Sequence, residues 1–446
     1  MRICIIGTGY VGLVAGTCLA EMGNNVICVD NNVEKLAQLE QGIIPIYEPG
    51  LEELIQANVA QGRLSFSNNL DYAVKNSLIC FIAVGTPQGK DGSANLSAVF
   101  NVAENIAKSM NDYKIIVNKS TVPVGTVEKV EAVIKSNTNY EFDVVSNPEF
   151  LKQGAAVDDF LKPDRVIIGS DSEKATGIMQ ELYSPFLRTG NPVITMDVKS
   201  AEMTKYAANS FLAVKISYIN EIANICEKVG ADIEMVRAGM CSDKRIGSQF
   251  LFPGLGYGGS CLPKDVSAMI KTAQDFECAY EILNAVNETN KAQRQHFIEK
   301  VFKRFSSDLK GKTFTVWGLA FKPKTNDMRE APAITIIEAL LARGAKVVAF
   351  DPKAMDTAKG IFGDKINYAT NAYDALKGAD VLLLLTEWNE FRRPDFEKIK
   401  TLLKTPVIID GRNQYDKKSL KAMGIEYISF GSKPLILEKL CQINQL

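Results

Sequence analysis

Residues 2–30 read RICIIGTGYVGLVAGTCLAEMGNNVICVD. An apolar, β-branched run enters a glycine-rich turn, continues into a helical stretch and returns as a second apolar run ending on Asp30, which is the pattern of a βαβ unit. Gly7, Gly9 and Gly12 occupy the three glycine positions of G-x-G-x-x-G. There they allow a tight turn, close approach of a pyrophosphate to backbone, and helix-on-strand contact. Asp30 follows Gly12 by 18 residues, at the tip of the second strand. A carboxylate there accepts hydrogen bonds from ribose hydroxyls and repels a 2′-phosphate, so NAD is expected rather than NADP. A purely structural glycine turn is the alternative.

Further strands are expected within LICFIAVGTP, KIIVNKSTVPVGT, FDVVSNPEF and RVIIGS, with helical stretches such as NLSAVFNVAENIAKSM between them. Their C-terminal ends carry polar punctuation at Thr86, Ser120-Thr121 and Asn147-Pro148-Glu149. In a parallel sheet such ends face the ligand crevice. From Ala201 to about Val229 nearly thirty residues pass without Gly or Pro and stop at Gly230, which predicts one long helix with Lys205 and Asn209 on one face. After residue 312 the strand, turn, helix and strand pattern returns and ends on Asp351. The turn GLAFKPK lacks the three glycines, and Lys322 and Lys324 point to a phosphate-bearing ligand rather than a second dinucleotide. The expected fold is α/β, with two doubly wound Rossmann-like domains joined by a long central helix. Its expected domains are 1–199, dinucleotide-binding; 200–300, central and helical; and 301–446, C-terminal.

With 446 residues, several domains and ample core are expected. Lys and Arg number 51 against 52 Asp and Glu, so no general attraction to nucleic acid or anionic membrane arises. The nine cysteines never form C-x-x-C, which excludes a disulfide framework and a zinc knuckle and suits a reducing compartment. With no signal peptide or membrane-length apolar run, the expectation is cytoplasmic. His296 is the single histidine and reads as a solvated surface residue, leaving Cys, Lys, Asp, Glu and Asn for chemistry. No metal site is expected.

The stretch YGGSCLPKD places Cys261 behind Gly258 and Gly259 and close to Lys264. Two glycines suit a loop that a ligand approaches closely, and a neighbouring ammonium favours a thiolate. A small buried apolar residue is the ordinary alternative for a cysteine.

Taken in order, GTGYVG, AVGTP, KSTVPVGT, NPEFL, KYAANSFLAVKISYINE, RIGSQFLFPGLGYGGSCLPKD, GLAFKPKTNDMREAP and IIDGRN resemble the nucleotide-sugar 6-dehydrogenases over nearly the whole chain. The resemblance implies NAD-dependent twofold oxidation of a nucleotide sugar at C6, with UDP-glucose as substrate. GDP-mannose or a UDP-N-acetylhexosamine is the alternative substrate, and a non-catalytic nucleotide-sugar binder is the alternative of another kind. It makes Cys261 the nucleophile, with Lys205 and Asn209 stabilising the oxyanion. Asp265, with a water held partly by Thr121, assists proton removal, and Glu149 assists water.

For NAD the resemblance implies Gly7, Gly9, Tyr10, Val11, Gly12, Asp30, Lys35, Thr86, Thr121, Lys264 and Arg329. For the UDP-sugar it implies Glu149, Phe150, Leu151, Lys152, Lys205, Asn209, Phe250, Leu251, Phe252, Tyr257, Gly258, Phe321, Lys322 and Arg412. Arg245 resembles an arginine that reaches the site of the neighbouring subunit in a homodimer. Two positions depart from many relatives. Gln153 stands where they have a second glutamate, and Phe252 where some have a lysine.

Overall fold

The computed structural model describes residues 1–187, 190 and 192–437; residues 438–446, the end of the expected C-terminal domain, and Cys441 with them, lie outside this set. The chain forms two compact units. One comprises Met1–Ala208 with Ser267–Cys278, the other Asn209–Val266 with the chain from Ala279 onward.

The first unit is built on an eight-stranded sheet of order β3-β2-β1-β4-β5-β6-β7-β8. Its strands are β1 (Arg2–Ile6), β2 (Asn25–Val29), β3 (Leu64–Ser67), β4 (Ile79–Ile82), β5 (Lys114–Asn118), β6 (Phe142–Ser146), β7 (Val166–Gly169) and β8 (Val193–Met196). Every residue of β4, β5 and β7 is buried, as expected of strands covered on both faces. The order reverses direction between β1 and β4, so the glycine turn after β1 opens at the switch point.

Two strands, β7 and β8, depart from the parallel reading; they run parallel to each other and opposite to β1–β6. β7 runs antiparallel to β6, pairing Ser146 with Gly169. The connection between them contains only the short helix Ala156–Leu161, so the chain re-enters the sheet from the end at which it left. The NPEF segment therefore stays at that end.

The second unit holds a six-stranded parallel sheet of order β11-β10-β9-β12-β13-β14. These strands are β9 (Thr313–Trp317), β10 (Lys346–Phe350), β11 (Asn367–Tyr368), β12 (Val381–Leu384), β13 (Val407–Asp410) and β14 (Glu426–Ile428). Ile219 and Ala223 of the long helix and Phe297 and Val301 of the helix Glu281–Phe305 share a core with Phe314 and Val316 of β9. The long helix itself spans Val198–Val229, beginning three residues before its expected start. At ~1.5 Å per residue it is about 48 Å long, and its first turns belong to the first unit and the rest to the second.

His296 corrects the surface reading. It is half-buried, with Nε2 3.0 Å from Glu227 Oε2. Glu227 also accepts from Lys300 Nζ at 2.6 Å and from the Gly431 amide at 2.9 Å. Burial alone would raise the Glu227 pKa, but these donors bring it down to about 2.

Among the described residues, no helix is long and apolar enough to cross a membrane. Nor does any group of three His, Cys, Asp or Glu residues there have the arrangement to hold a metal.

Candidate active site

In the first unit, Gly7 adopts φ +99°, and a Cβ there would lie 2.7 Å from the Ala83 carbonyl oxygen. At Gly12 a Cβ would fall 1.9 Å from the Gly7 carbonyl oxygen. Both positions exclude any side chain. Gly9 caps the helix Tyr10–Glu21 with no side-chain hydrogen bond and no acidic residue in the first turn, and a Cβ on it would meet open space. The first amides of that helix are thus left to an anion from outside.

Asp30 Oδ2 accepts from the Thr8 amide at 2.9 Å, the Thr8 hydroxyl at 2.6 Å and Lys35 Nζ at 2.9 Å. Burial pushes its pKa up, but these donors and the Asn32 amide outweigh it and bring it down to about 2. The Thr86 hydroxyl donates to the Thr121 carbonyl at 2.9 Å, joining the ends of β4 and β5.

Glu149 is buried at the end of β6, with Oε2 accepting the Leu151 amide at 2.6 Å and Oε1 3.3 Å from Lys205 Nζ. The Arg165 guanidinium covers the Phe150 ring at 3.7 Å. Lys152 pairs with Asp159 at 3.0 Å. Beside them lies Lys119, which the sequence reading passed over. Its ammonium donates to Asn147 Oδ1 at 3.0 Å and to the Asn147 carbonyl at 3.3 Å. Burial lowers its pKa to about 8, with Glu149 opposing the shift and Lys205 adding to it. Its position next to Ser120-Thr121 in NKSTVP was the available signal.

In the second unit, Cys261 is exposed and immediately precedes the helix Leu262–Asp275; its carbonyl accepts the Asp265 amide at 2.8 Å. A helix N-terminus stabilises negative charge on sulfur. The cation expected to help was Lys264, yet its ammonium is held on Asp265 Oδ1 at 2.6 Å. Arg329 is one cation in electrostatic interaction with Cys261. Asp265 is fully buried, and its other oxygen accepts from Asn209 Nδ2 at 2.6 Å. Two donors thus fix this carboxylate.

The glycines before the thiol have a packing reason that the open-loop reading missed. A Cβ on Gly258 would lie 2.2 Å from the Glu330 carbonyl oxygen, and one on Gly259 2.8 Å from the Phe321 ring. Asn290 bonds both the amide (2.8 Å) and the carbonyl (3.1 Å) of Tyr257, and Asn220 and Gln293 hold Gly254. These three polar residues on long helices carried no signal in the sequence. Leu251 and Tyr257 are buried, Phe250 has φ 65°, and Phe252 is exposed under the Arg237 guanidinium at 4.6 Å. Tyr257 Oη is buried without a hydrogen-bond partner among the described residues. Arg412 donates to the carbonyls of Leu385 and Phe321, at 2.7 and 3.1 Å, bringing Phe321 and Arg412 together; Lys322 lies beside them in the chain. Arg245 is exposed and paired with Asp243 at 2.6 Å.

Three family descriptions match consecutive parts of the chain. They are the NAD binding domain (residues 1–187), the central domain (199–292) and the UDP binding domain (315–417) of the UDP-glucose/GDP-mannose dehydrogenase family. The chain belongs to that family. It is an NAD-binding nucleotide-sugar dehydrogenase.

Among its relatives, a UDP-glucose 6-dehydrogenase of Bacillus subtilis is 50% identical over 432 residues, covering 96% of this chain and 93% of that protein. A UDP-glucose 6-dehydrogenase of Pseudomonas aeruginosa is 47% identical over 441 residues, covering 97% of each. The solved structure of a UDP-glucose dehydrogenase from Pyrobaculum islandicum superposes with a TM-score of 0.88 at 35% identity, covering 96% of each chain.

One carboxylate of this dehydrogenase was not foreseen. Glu202, buried on the long helix, accepts the Gly125 amide at 2.7 Å and the Val127 amide at 2.8 Å, capping the helix Thr126–Lys135. Burial raises its pKa from 4.5 to about 7 in spite of those amides. The folded protein therefore binds this proton more tightly than the unfolded chain. Stability from this group is full below about pH 4.5 and is lost as pH rises through about 7, on the order of 3 kcal/mol in all. Glu202→Gln removes the titration, so the fall in thermal midpoint between pH 5 and pH 7.5 should flatten relative to wild type. An unchanged fall would exclude Glu202 as its source.

Proposed function

We propose that this dehydrogenase oxidises UDP-glucose twice at C6 to UDP-glucuronate, through intermediates covalently bound to Cys261. The observation that carries the reading is the exposed thiol at a helix N-terminus, one turn before a buried carboxylate bonded to Asn209. The glycine turn and Asp30 would hold NAD, which when bound would supply the hydride acceptor, one NAD for each of the two oxidations.

Asp265, with a water held by Thr121, removes the proton of the C6 hydroxyl, and Lys205 and Asn209, one turn apart on the long helix, stabilise the alkoxide that results. The Cys261 thiolate then adds to the C6 aldehyde. The resulting thiohemiacetal oxyanion makes the carbon a hydride donor again, and loss of hydride leaves a thioester. Water, assisted by Glu149, attacks the thioester carbonyl and releases the carboxylate product and the thiol. With Gln153 four residues further on, an amide and not a second carboxylate, Glu149 carries that proton transfer.

For the cofactor we assign Gly7, Gly9, Tyr10, Val11, Gly12, Asp30, Lys35, Thr86, Lys264 and Arg329. For the nucleotide sugar we assign Phe150–Lys152, Phe250–Phe252, Tyr257, Gly258, Phe321, Lys322 and Arg412. The buried Tyr257 hydroxyl supports the latter, since a buried donor is expected to meet a polar partner and a ligand supplies one.

The protein acts as a cytoplasmic homodimer. Phe211, Tyr218 and Ile225 recur every seven residues along the long helix, at 62%, 51% and 48% exposure. An apolar stripe with that period suits a second copy of the helix. Arg245 would complete the neighbour's site.

The test is the yield of NADH per UDP-glucose consumed, with the sugar product identified by mass spectrometry. Two NADH and UDP-glucuronate are expected. One NADH with released aldehyde would overturn the covalent route. Turnover of GDP-mannose or a UDP-N-acetylhexosamine in preference to UDP-glucose would overturn the substrate.

A further inference from the structure

We infer that Glu48 is a positioning residue that locks the dinucleotide turn to the Glu149–Gly154 segment, so that the two hold one geometry. Glu48 is 5% exposed. Its Oε2 accepts from the Tyr10 hydroxyl and from the Gly154 amide at 2.6 Å, and its Oε1 from the Ala156 amide at 2.8 Å. A carboxylate taken out of water needs such donors.

Tyr10 is the first residue of the helix that follows the glycine turn. Gly154 and Ala156 lie at the start of the helix Ala156–Leu161, directly after the segment carrying Glu149. Other helix starts are capped by a neighbouring side chain, as by Asn32, Asn69, Ser172, Asp232, Asp395 and Asp416, whereas the helix Thr126–Lys135 is, like this one, capped from afar, by Glu202. Ala155 has no side-chain acceptor, and the amides there are satisfied from 106 and 108 residues away. A local Ser or Asp would have served a cap alone. What the remote carboxylate adds is the bond to Tyr10. Burial, then the bond to Glu48, raises the Tyr10 pKa, keeping the phenol a donor, and Glu149 adds to the same effect.

The inference rests on the glycine turn as the NAD site and on Glu149 as a group that acts in turnover. Two variants separate linkage from plain helix capping. Tyr10→Phe deletes the bond and leaves the cap, whereas Glu48→Gln presents one acceptor oxygen in place of two. Tyr10→Phe, which leaves Glu48 its two amide donors, is expected to lower the thermal midpoint only slightly, weaken NADH binding about fivefold by fluorescence titration, and lower kcat at saturating NAD and sugar. Glu48→Gln should lower the midpoint as well, and the double variant should lose less than the product of the single losses.

NADH binding is read without any sugar, so a failure here is distinct from failure of the proposed sugar chemistry. The linkage is overturned if Tyr10→Phe binds NADH and turns over as wild type does. It is equally overturned if only KM for NAD changes, or if the two losses multiply in full.

Discussion

Cys261→Ser is expected to keep its fold and lose formation of UDP-glucuronate by at least ~10³-fold, because a hydroxyl at neutral pH is far less nucleophilic than a thiolate. The two effects separate cleanly at this position. Cys261 is exposed and stands just before the first residue of the helix Leu262–Asp275, where serine is among the preferred caps. The thermal midpoint should therefore hold or rise slightly while activity collapses. If the thiolate is needed only after the first hydride has left, the variant should yield at most one NADH per sugar. Intact-protein mass spectrometry after incubation with UDP-glucose and NAD checks for a stalled serine ester, which hydrolyses more slowly than a thioester. Formation of UDP-glucuronate at the wild-type rate would remove Cys261 from the mechanism.

What could be read in the chain beforehand was what periodicity and local turn chemistry encode. The glycine turn, the long uninterrupted helix and the second βαβ pattern are all short-range signals, and each appears in the structure where the sequence placed it. The antiparallel β7 was not legible, because RVIIGS has the same apolar pattern in either direction. Gly258 and Gly259 were noticed as glycines, but their partners, Glu330 and Phe321, lie some 60 to 70 residues further along the chain.

The same limit hid the second layer of the site. Lys119, Glu202 and Glu48 each act through a partner at a distance in sequence: Asn147, the Gly125 and Val127 amides, and Tyr10 with Gly154 and Ala156. A lone buried charge leaves no periodic trace. Lys264 shows the converse difficulty, since adjacency to Cys261 carried no sign that its ammonium is held by Asp265. Spacing in sequence ranks neighbours poorly once side chains as long as lysine choose among them.

Lys205 allows stability and chemistry to be pulled apart in a second way. It is 4% exposed and sits 3.3 Å from Glu149, itself 7% exposed. Lys205→Met keeps the aliphatic stem but leaves a carboxylate buried without its cation, which costs ~3–5 kcal/mol unless Glu149 takes up a proton. Loss of the ammonium from the developing oxyanion should lower kcat by ~10²–10³. Low activity in this variant would by itself be ambiguous between a damaged fold and a missing charge. The double variant Lys205→Met, Glu149→Gln resolves it. With no buried carboxylate left unpaired and Lys119 still on its Asn147 acceptors, its thermal midpoint should return most of the way to wild type, whereas the first hydride transfer, which does not use Glu149 and is read as the rate of the first NADH in a single turnover, should stay as slow as in Lys205→Met. Recovery of that first-turnover rate along with stability would mean that Lys205 serves only to neutralise Glu149, and the oxyanion would have to be held by Asn209 without it.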